Sequence, residues 1–349
     1  MRVLLVEDSA VIRSIITRIL GEAEGIEVVG AARNGEVGVE SYKKLKPDVV
    51  LMDIEMPVKD GISALEEIIA FDSRAKVIMC STLTIKNADI TMKAMKIGAI
   101  DYIAKPTNVA AVGKSDEFKD TLVRLIQSVK VGSRVKAGLV AGVPVADKLD
   151  LRPKPPIHWK PQVVAIGSST GGPQALFNFM RGLKGINLPV VITQHMPATF
   201  TTLLAQHIST QADFKCVEGQ DGMALEAGVA ILAPGGRHMS FEKNEDGQTV
   251  VKLTDGQPEN FCRPSVDVMY RSLMEQYGDR VLSVILTGMG SDGHKSVEKL
   301  IEKGGYCVAQ DQETSVVWGM PGAVATNGLC SAVLPLDQMA PWVREHARA

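Results

Sequence analysis

Three groups in the carboxyl-terminal half have the types and spacing of an acyl-transfer site. Gly167-Ser168-Ser169-Thr170-Gly171 lies where the apolar run Val163 to Ile166 meets a helix-like run beginning near Gln174. A G-x-S-x-G turn between strand and helix sets its central hydroxyl, here Ser169, at the carboxyl end of the strand, with backbone N–H groups of the helix start behind it. His195 follows the β-branched run Pro189 to Thr193, and Asp292 follows Val281 to Leu286 inside the glycine-rich turn Thr287 to Gly293. Such runs read as buried parallel strands, so nucleophile, base and orienting acid would meet at one sheet edge as a Ser-His-Asp set. The Thr170 N–H is the natural oxyanion donor of such a turn, and Met289 would shape the pocket.

Structural alternatives exist for each group. The glycines could line a phosphate-cradling turn, although the run lacks the G-K-[ST] of a P-loop. Asp292 could only cap a helix starting near His294, and His294 itself competes with His195 as the base. His238, after the strand Val229 to Ala233, is a substrate-contact candidate. His207 falls in a helical segment, His158 in a proline-rich stretch and His346 in a terminal tail, where solvated side chains are the default. The chain order Ser169, His195, Asp292 disfavours a generic α/β-hydrolase, whose order is Ser, acid, His.

The amino-terminal half carries a different chemistry. Met1 to Val6 ends in Glu7-Asp8, Val49 to Met52 ends in Asp53, Val77 to Cys80 delivers Ser81, and Asp101 to Ala104 delivers Lys105 before Pro106. Three carboxylates at one strand edge are costly unless a divalent cation neutralises them, and an oxygen-only set suits Mg²⁺. Asp53 would attack phosphorus, with Mg²⁺ and Lys105 offsetting the oxygen charges and Ser81 receiving the new phosphate.

The elements that must position these groups alternate along the chain. Helical runs at Ala10 to Leu20, Glu36 to Leu45, Ala64 to Ile69 and Asp89 to Ile97 separate the amino-terminal strands. That βα alternation predicts an α/β protein with two doubly wound, mostly parallel-sheet domains, the first flavodoxin-like and the second Rossmann-like. Residues 224–241 and 249–253 read instead as a hairpin region. After a helix from Asp116 to Val129, the stretch 131–160 is rich in Gly, Pro, Lys and Val without clean periodicity, which predicts a linker between domains at 1–130 and 161–349. The length of 349 residues and 45% hydrophobic content fit two globular cores. A net charge of −2 argues against an electrostatic nucleic-acid or membrane binder. Five cysteines without C-x-x-C spacing, no long apolar run and no signal peptide at the start lead us to expect a cytoplasmic protein with reduced thiols.

Across about residues 1 to 130 the order of these groups resembles the receiver domain of two-component response regulators. The resemblance implies Asp53 as phosphoacceptor, Glu7, Asp8, Asp53 and the Glu55 carbonyl as metal ligands, and Ser81, Tyr102 and Lys105 as the switch residues. The second half resembles the chemotaxis-type protein-glutamate methylesterase family, CheB. Gly-Ser-Ser-Thr-Gly-Gly at 167–172, Ile-Thr-Gln-His-Met-Pro at 192–197, Pro-Gly-Gly-Arg-His-Met at 234–239, Arg-Pro-Ser-Val-Asp-Val at 263–268 and Gly-Met-Gly-Ser-Asp-Gly at 288–293 carry it. Ser291, where the family commonly has Asn, and His294, where it has a small residue, depart from the pattern. The resemblance implies a phosphorylation-activated hydrolase whose partners are the methylated cytoplasmic helices of chemoreceptors and a histidine kinase as phosphodonor. It would remove glutamyl methyl esters and deamidate selected glutamines as a monomer, with no cofactor for the ester reaction. The competing expectation is a non-catalytic effector whose glycine-rich loops bind a nucleotide or a protein when Asp53 is phosphorylated.

Overall fold

The computed structural model describes residues 1–82, 85–105, 116–136 and 149–347. It divides into two units, Met1–Arg134 and Val135–Ala349. In the first, strands β1 (Arg2–Val6), β2 (Glu27–Ala32), β3 (Val49–Asp53), β4 (Val77–Thr82) and β5 (Asp101–Lys105) form a parallel sheet in the order β2-β1-β3-β4-β5. The apolar runs of β1 and β3 are buried on both faces, the state that parallel strands flanked by helices require. Helices α1 (Ala10–Gly21), α2 (Gly35–Leu45), α3 (Gly61–Phe71), α4 (Ile85–Ile97) and α5 (Asp116–Lys136) separate or follow these strands. Ser9, Asn34 and Asp60 open α1, α2 and α3 by accepting a backbone N–H two or three residues into the helix.

The second unit holds a seven-stranded parallel sheet and one antiparallel ribbon. Its strands are β6 (Val163–Ser168), β7 (Val190–Gln194), β8 (Cys216–Glu218), β9 (Ala230–Leu232), β10 (His238–Lys243), β11 (Thr249–Thr254), β12 (Val281–Ile285), β13 (Tyr306–Gln310) and β14 (Ala332–Leu334). The sheet order is β14-β13-β12-β6-β7-β9-β8, and β10 pairs with β11. From β6 the chain first builds outward through β7 and later returns through β12 on the other side. The junction of β12, β6 and β7 is therefore a topological switch point, where a crevice opens at the carboxyl ends. Helices α6 (Gly172–Gly182), α7 (Ala198–Gln211), α8 (Val266–Tyr277), α9 (His294–Glu302), α10 (Met320–Thr326) and α11 (Leu336–Ala347) complete the unit.

Several expectations need correction here. The fifth helix continues through Lys136, beyond the predicted boundary at 130; linker residues 137–148, like Pro106, lie outside the described residues. The later part of the predicted linker packs on the second unit. Arg152 N–H donates to the Cys330 carbonyl at 2.9 Å, and buried Trp159 meets the Tyr306 ring edge-on at 4.6 Å. Burying an indole outweighs the extended preference of a proline-rich run. His346 belongs to α11 and stacks on Trp342 at 4.1 Å, so it is not a loose tail residue. The hairpin expectation holds for β10 and β11, while β9, in the same stretch, joins the parallel sheet.

Candidate active site and phosphoacceptor site

The turn after β6 is built around its glycines. Ser168 ends the strand, and Gly171 carries the left-handed φ of +74° that turns the chain into α6. A Cβ on Gly172 would lie 1.9 Å from the Gln194 amide oxygen, so a larger residue there would displace that amide from its hydrogen bonds. The positive φ falls on Gly171 and not on Ser169, unlike the strained nucleophile of an α/β-hydrolase elbow. Gln194, the last residue of β7, braces both catalytic candidates. It accepts from the Ser168 hydroxyl at 2.6 Å and donates to the carbonyls of Ser169 at 2.9 Å and His195 at 3.1 Å. Ser169 N–H is used by the Thr287 carbonyl, whereas no protein acceptor takes the Thr170 N–H among the described residues. Helices α6 and α9 both begin at a glycine that supplies no side-chain cap. In α6 the Gly172 N–H donates to the Ser169 carbonyl at 2.7 Å and Pro173 has none, and in α9 the Ser296 N–H donates to Asp267 at 2.8 Å.

His195 and Asp292 meet there. Nε2 of His195 lies 2.8 Å from Oδ2 of Asp292, which is 4% exposed. Asp292 does not cap its own helix; Gly293 holds that position without a side-chain bond. Its carboxylate instead sits at the start of α8, accepting from Val266 N–H at 2.6 Å, Asp267 N–H at 3.2 Å and the Ser265 hydroxyl at 2.9 Å. The Asn260 amide adds a further donor at 2.7 Å. Burial resists ionisation of this carboxyl, but the His195 ring and these donors outweigh it and hold Asp292 at about 2. The His195 ring is desolvated too, which disfavours its charged form; hydrogen bonds and charges from Asp292 and Cys262 overcome that and raise it to about 10.

A testable pH dependence follows for any reaction that needs the neutral ring. With its pKa raised, the deprotonated fraction keeps growing through neutrality. After subtraction of the hydroxide blank, kcat/KM is expected to climb steadily from about pH 6.5 to about pH 9. A plateau above about pH 7.5 would mean that the ring titrates near its ordinary value.

Because Nε2 is committed to Asp292, Nδ1 is the ring nitrogen left for a proton from a nucleophile. It faces the Cys262 sulfur at 3.4 Å, and among the described residues the Ser169 hydroxyl makes no hydrogen bond. Ser169, His195 and Asp292 nonetheless follow three adjacent strands, β6, β7 and β12. Thr170 is buried beside them, its carbonyl accepting from Thr287 Oγ1 at 2.9 Å, and Met289 is half-buried on the Thr287 to Gly293 turn. His294 is half-buried with Nε2 bonded to no protein group, and it is His195 that contacts Asp292. His238 is not a substrate contact: its ring is buried, with Nε2 on the Gln257 carbonyl at 2.9 Å and Nδ1 accepting from Ser265 N–H at 3.2 Å. It fixes the residue that precedes α8.

In the first unit, Glu7, Asp8 and Asp53 place carboxylate oxygens within 4.8 Å of one another. Lys105 bridges the two buried ones, 2.7 Å from Glu7 and 2.6 Å from Asp53. Burial pushes both carboxyls above their ordinary range, partly offset by Lys105. A donor set of hard oxygens under that electrostatic load fits Mg²⁺. Asp8 and Glu55 line an open cavity of about 600 Å³ beside it. Ser81 is buried at the end of β4, and Tyr102 is half-buried on neighbouring β5.

Residues 164–343 match the family description "CheB methylesterase", and residues 3–114 match "Response regulator receiver domain". The chain belongs to the CheB methylesterase family. A protein-glutamate methylesterase/protein-glutamine glutaminase of Rhodospirillum centenum is 46% identical over 99% of this chain and 94% of its own length. A protein of the same name from Azospirillum brasilense is 46% identical over 99% and 92%. The crystal structure of the Thermotoga maritima CheB methylesterase catalytic domain covers 53% of this chain and 98% of its own, at 36% identity and a TM-score of 0.51. The parallel α/β architecture expected from the sequence agrees with this CheB domain, and the effector alternative finds no support. No helix among the described residues is long and apolar enough to cross a membrane.

Sequence reasoning missed four supports of the site. Gln194 and Thr287 stand within quoted motifs, yet bracing is not visible in a motif. Asn260 and Cys262 lie just outside one, and only the fold brings them to Asp292 and His195.

Proposed function

We propose that this CheB-family chain is a phosphorylation-activated protein-glutamate methylesterase that also deamidates selected glutamines, with Ser169 as nucleophile, His195 as base and Asp292 as its partner. The 2.8 Å His195–Asp292 contact at the end of the strand next to Ser169 carries this reading. Ser169 Oγ attacks the ester carbonyl while its proton passes to His195 Nδ1. Asp292 holds the Nε2–H tautomer and stabilises the imidazolium. The Thr170 N–H receives the developing oxyanion, with Met289 shaping the pocket. Methanol departs with the proton from His195, and water then cleaves the acyl-enzyme to leave a glutamate. With a glutamine substrate the leaving group is ammonia.

The substrates are methylated cytoplasmic helices of chemoreceptors, a histidine kinase supplies phosphate to Asp53, and the protein works in the cytoplasm as a monomer. Glu7, Asp8, Asp53 and the Glu55 carbonyl would hold Mg²⁺, which when bound offsets charge on the phosphoryl oxygens. Lys105 would shift its ion pair toward the phosphoryl group, Ser81 would donate to it, and Tyr102 would report the change. Incubating methyl-labelled receptor membranes with the protein and counting volatile methanol tests the activity. No methanol above the blank would overturn the reading.

Regulation carries its own expected result. Beryllofluoride with Mg²⁺ should raise kcat/KM of the full chain about tenfold or more, which needs only about 1.4 kcal/mol of coupling. Asp53→Ala should abolish that response without lowering the basal rate. An equal response in Asp53→Ala would exclude Asp53 as the phosphoacceptor.

A further inference from the structure

Cys80, Cys216, Cys307 and Cys330 are buried, whereas Cys262 is half-exposed; none is in a disulfide. Its sulfur lies 3.4 Å from His195 Nδ1, and Nε2 of the same ring lies 2.8 Å from Asp292. Thiol, imidazole and carboxylate thus stand in the order that activates a sulfur nucleophile. In the neutral ring Asp292 takes the Nε2–H, so the lone pair on Nδ1 faces the sulfur. The Asn260 carbonyl, also at 3.4 Å, is the thiol's other acceptor.

A short turn delivers the thiol to that place. Glu259 and Cys262 exchange both backbone hydrogen bonds, at 3.1 and 2.8 Å, around Asn260 and Phe261. Both central residues have left-handed φ, +52° and +63°, as a two-residue type I′ turn demands. The Asn260 amide of the same turn bonds Asp292 at 2.7 Å and Asp267 at 2.9 Å. The ester mechanism makes no use of the sulfur, yet the sulfur occupies the position at Nδ1 that the Ser169 proton must reach.

We propose that Cys262 is an oxidant-sensitive modification site through which peroxides switch the esterase off. The thiol proton passes to His195 Nδ1 as sulfur attacks one peroxide oxygen. The S–O bond forms, the O–O bond breaks, and the departing hydroxide takes the proton as water, leaving Cys262 as a sulfenic acid. One low-molecular-weight thiol converts this to a mixed disulfide with loss of water. A second releases the Cys262 thiol and departs as the small disulfide. Either oxidised form covers Nδ1, so the base can no longer accept from Ser169. This step rests on the assignment of His195 as the base.

The test uses the full chain treated with hydrogen peroxide, with rates normalised to each protein's untreated rate and adducts located by peptide mass. The wild type should lose about tenfold or more of its methanol release in step with the Cys262 adduct, and dithiothreitol should restore it. Cys262→Ser and Cys262→Ala should lose less than about twofold. Alkylation of Cys262 by iodoacetamide, read by mass alone, should slow about tenfold in His195→Gln. An adduct at Cys262 with full activity, equal inactivation of both Cys262 variants, or alkylation indifferent to His195→Gln would overturn the proposal. Activity retained in Ser169→Ala would overturn the triad instead and would leave the alkylation result standing.

Discussion

Ser169→Ala is expected to yield a folded protein whose methyl-ester hydrolysis is down by about 10³-fold or more in kcat. The substitution removes one oxygen from a half-exposed side chain whose hydroxyl makes no hydrogen bond among the described residues, so folding loses nothing and no buried partner is orphaned. The loss falls on the acyl-transfer step alone. Substituting His195 should be about as damaging, and the double variant little worse than either, because nucleophile and base act as a unit. Methanol release and a thermal melt on the same preparations check both halves. Near-normal turnover by Ser169→Ala would end the serine mechanism.

Asp292→Asn should lose both activity and stability. An amide keeps one acceptor oxygen and sets an NH2 group where the other stood, so either Val266 N–H and the His195 ring, or Asp267 N–H, the Ser265 hydroxyl and the Asn260 amide, meet hydrogens in place of an acceptor. Such a mismatch at a buried site costs about 2–4 kcal/mol, visible as a lower urea midpoint. Independently, the ring loses the acceptor that fixes its tautomer, and kcat should fall by about 10³–10⁴. The two readouts separate two roles. A destabilised variant with ordinary kcat would make Asp292 only the anchor of α8.

What the sequence disclosed was set by burial and strand order. Strands hidden on both faces, such as Val49–Asp53, Val163–Ser168 and Val281–Ile285, write continuous apolar runs, and the polar residues just past their ends mark one sheet edge. Glu7, Asp8, Asp53, Lys105, Ser169, His195 and Asp292, at or just past strand ends, could be located in this way. β2 could not, because Glu27–Ala32 is only partly buried and its internal Gly30 breaks the apolar run. His238 misled for a related reason: a histidine after a strand has the same local pattern whether it faces a crevice or locks a neighbouring backbone. Packing across long sequence separation decided that, as it decided the place of Trp159.

The carboxylate of Asp292 also joins two parts of the second unit that are distant in the chain. α8 begins at this carboxylate, and along its length Val266, Met269, Tyr270 and Leu273 share one core with Met239 and Phe241 of β10 and Val251 of β11. The helix is therefore a rigid lever with the base's partner at one end and the antiparallel ribbon along its side. Displacing the ribbon would be felt at His195 through the first turn of α8, with no ligand in the crevice. Substitutions that loosen the ribbon's apolar face would appear in screens as catalytic defects, although no atom they change lies near the reacting bond.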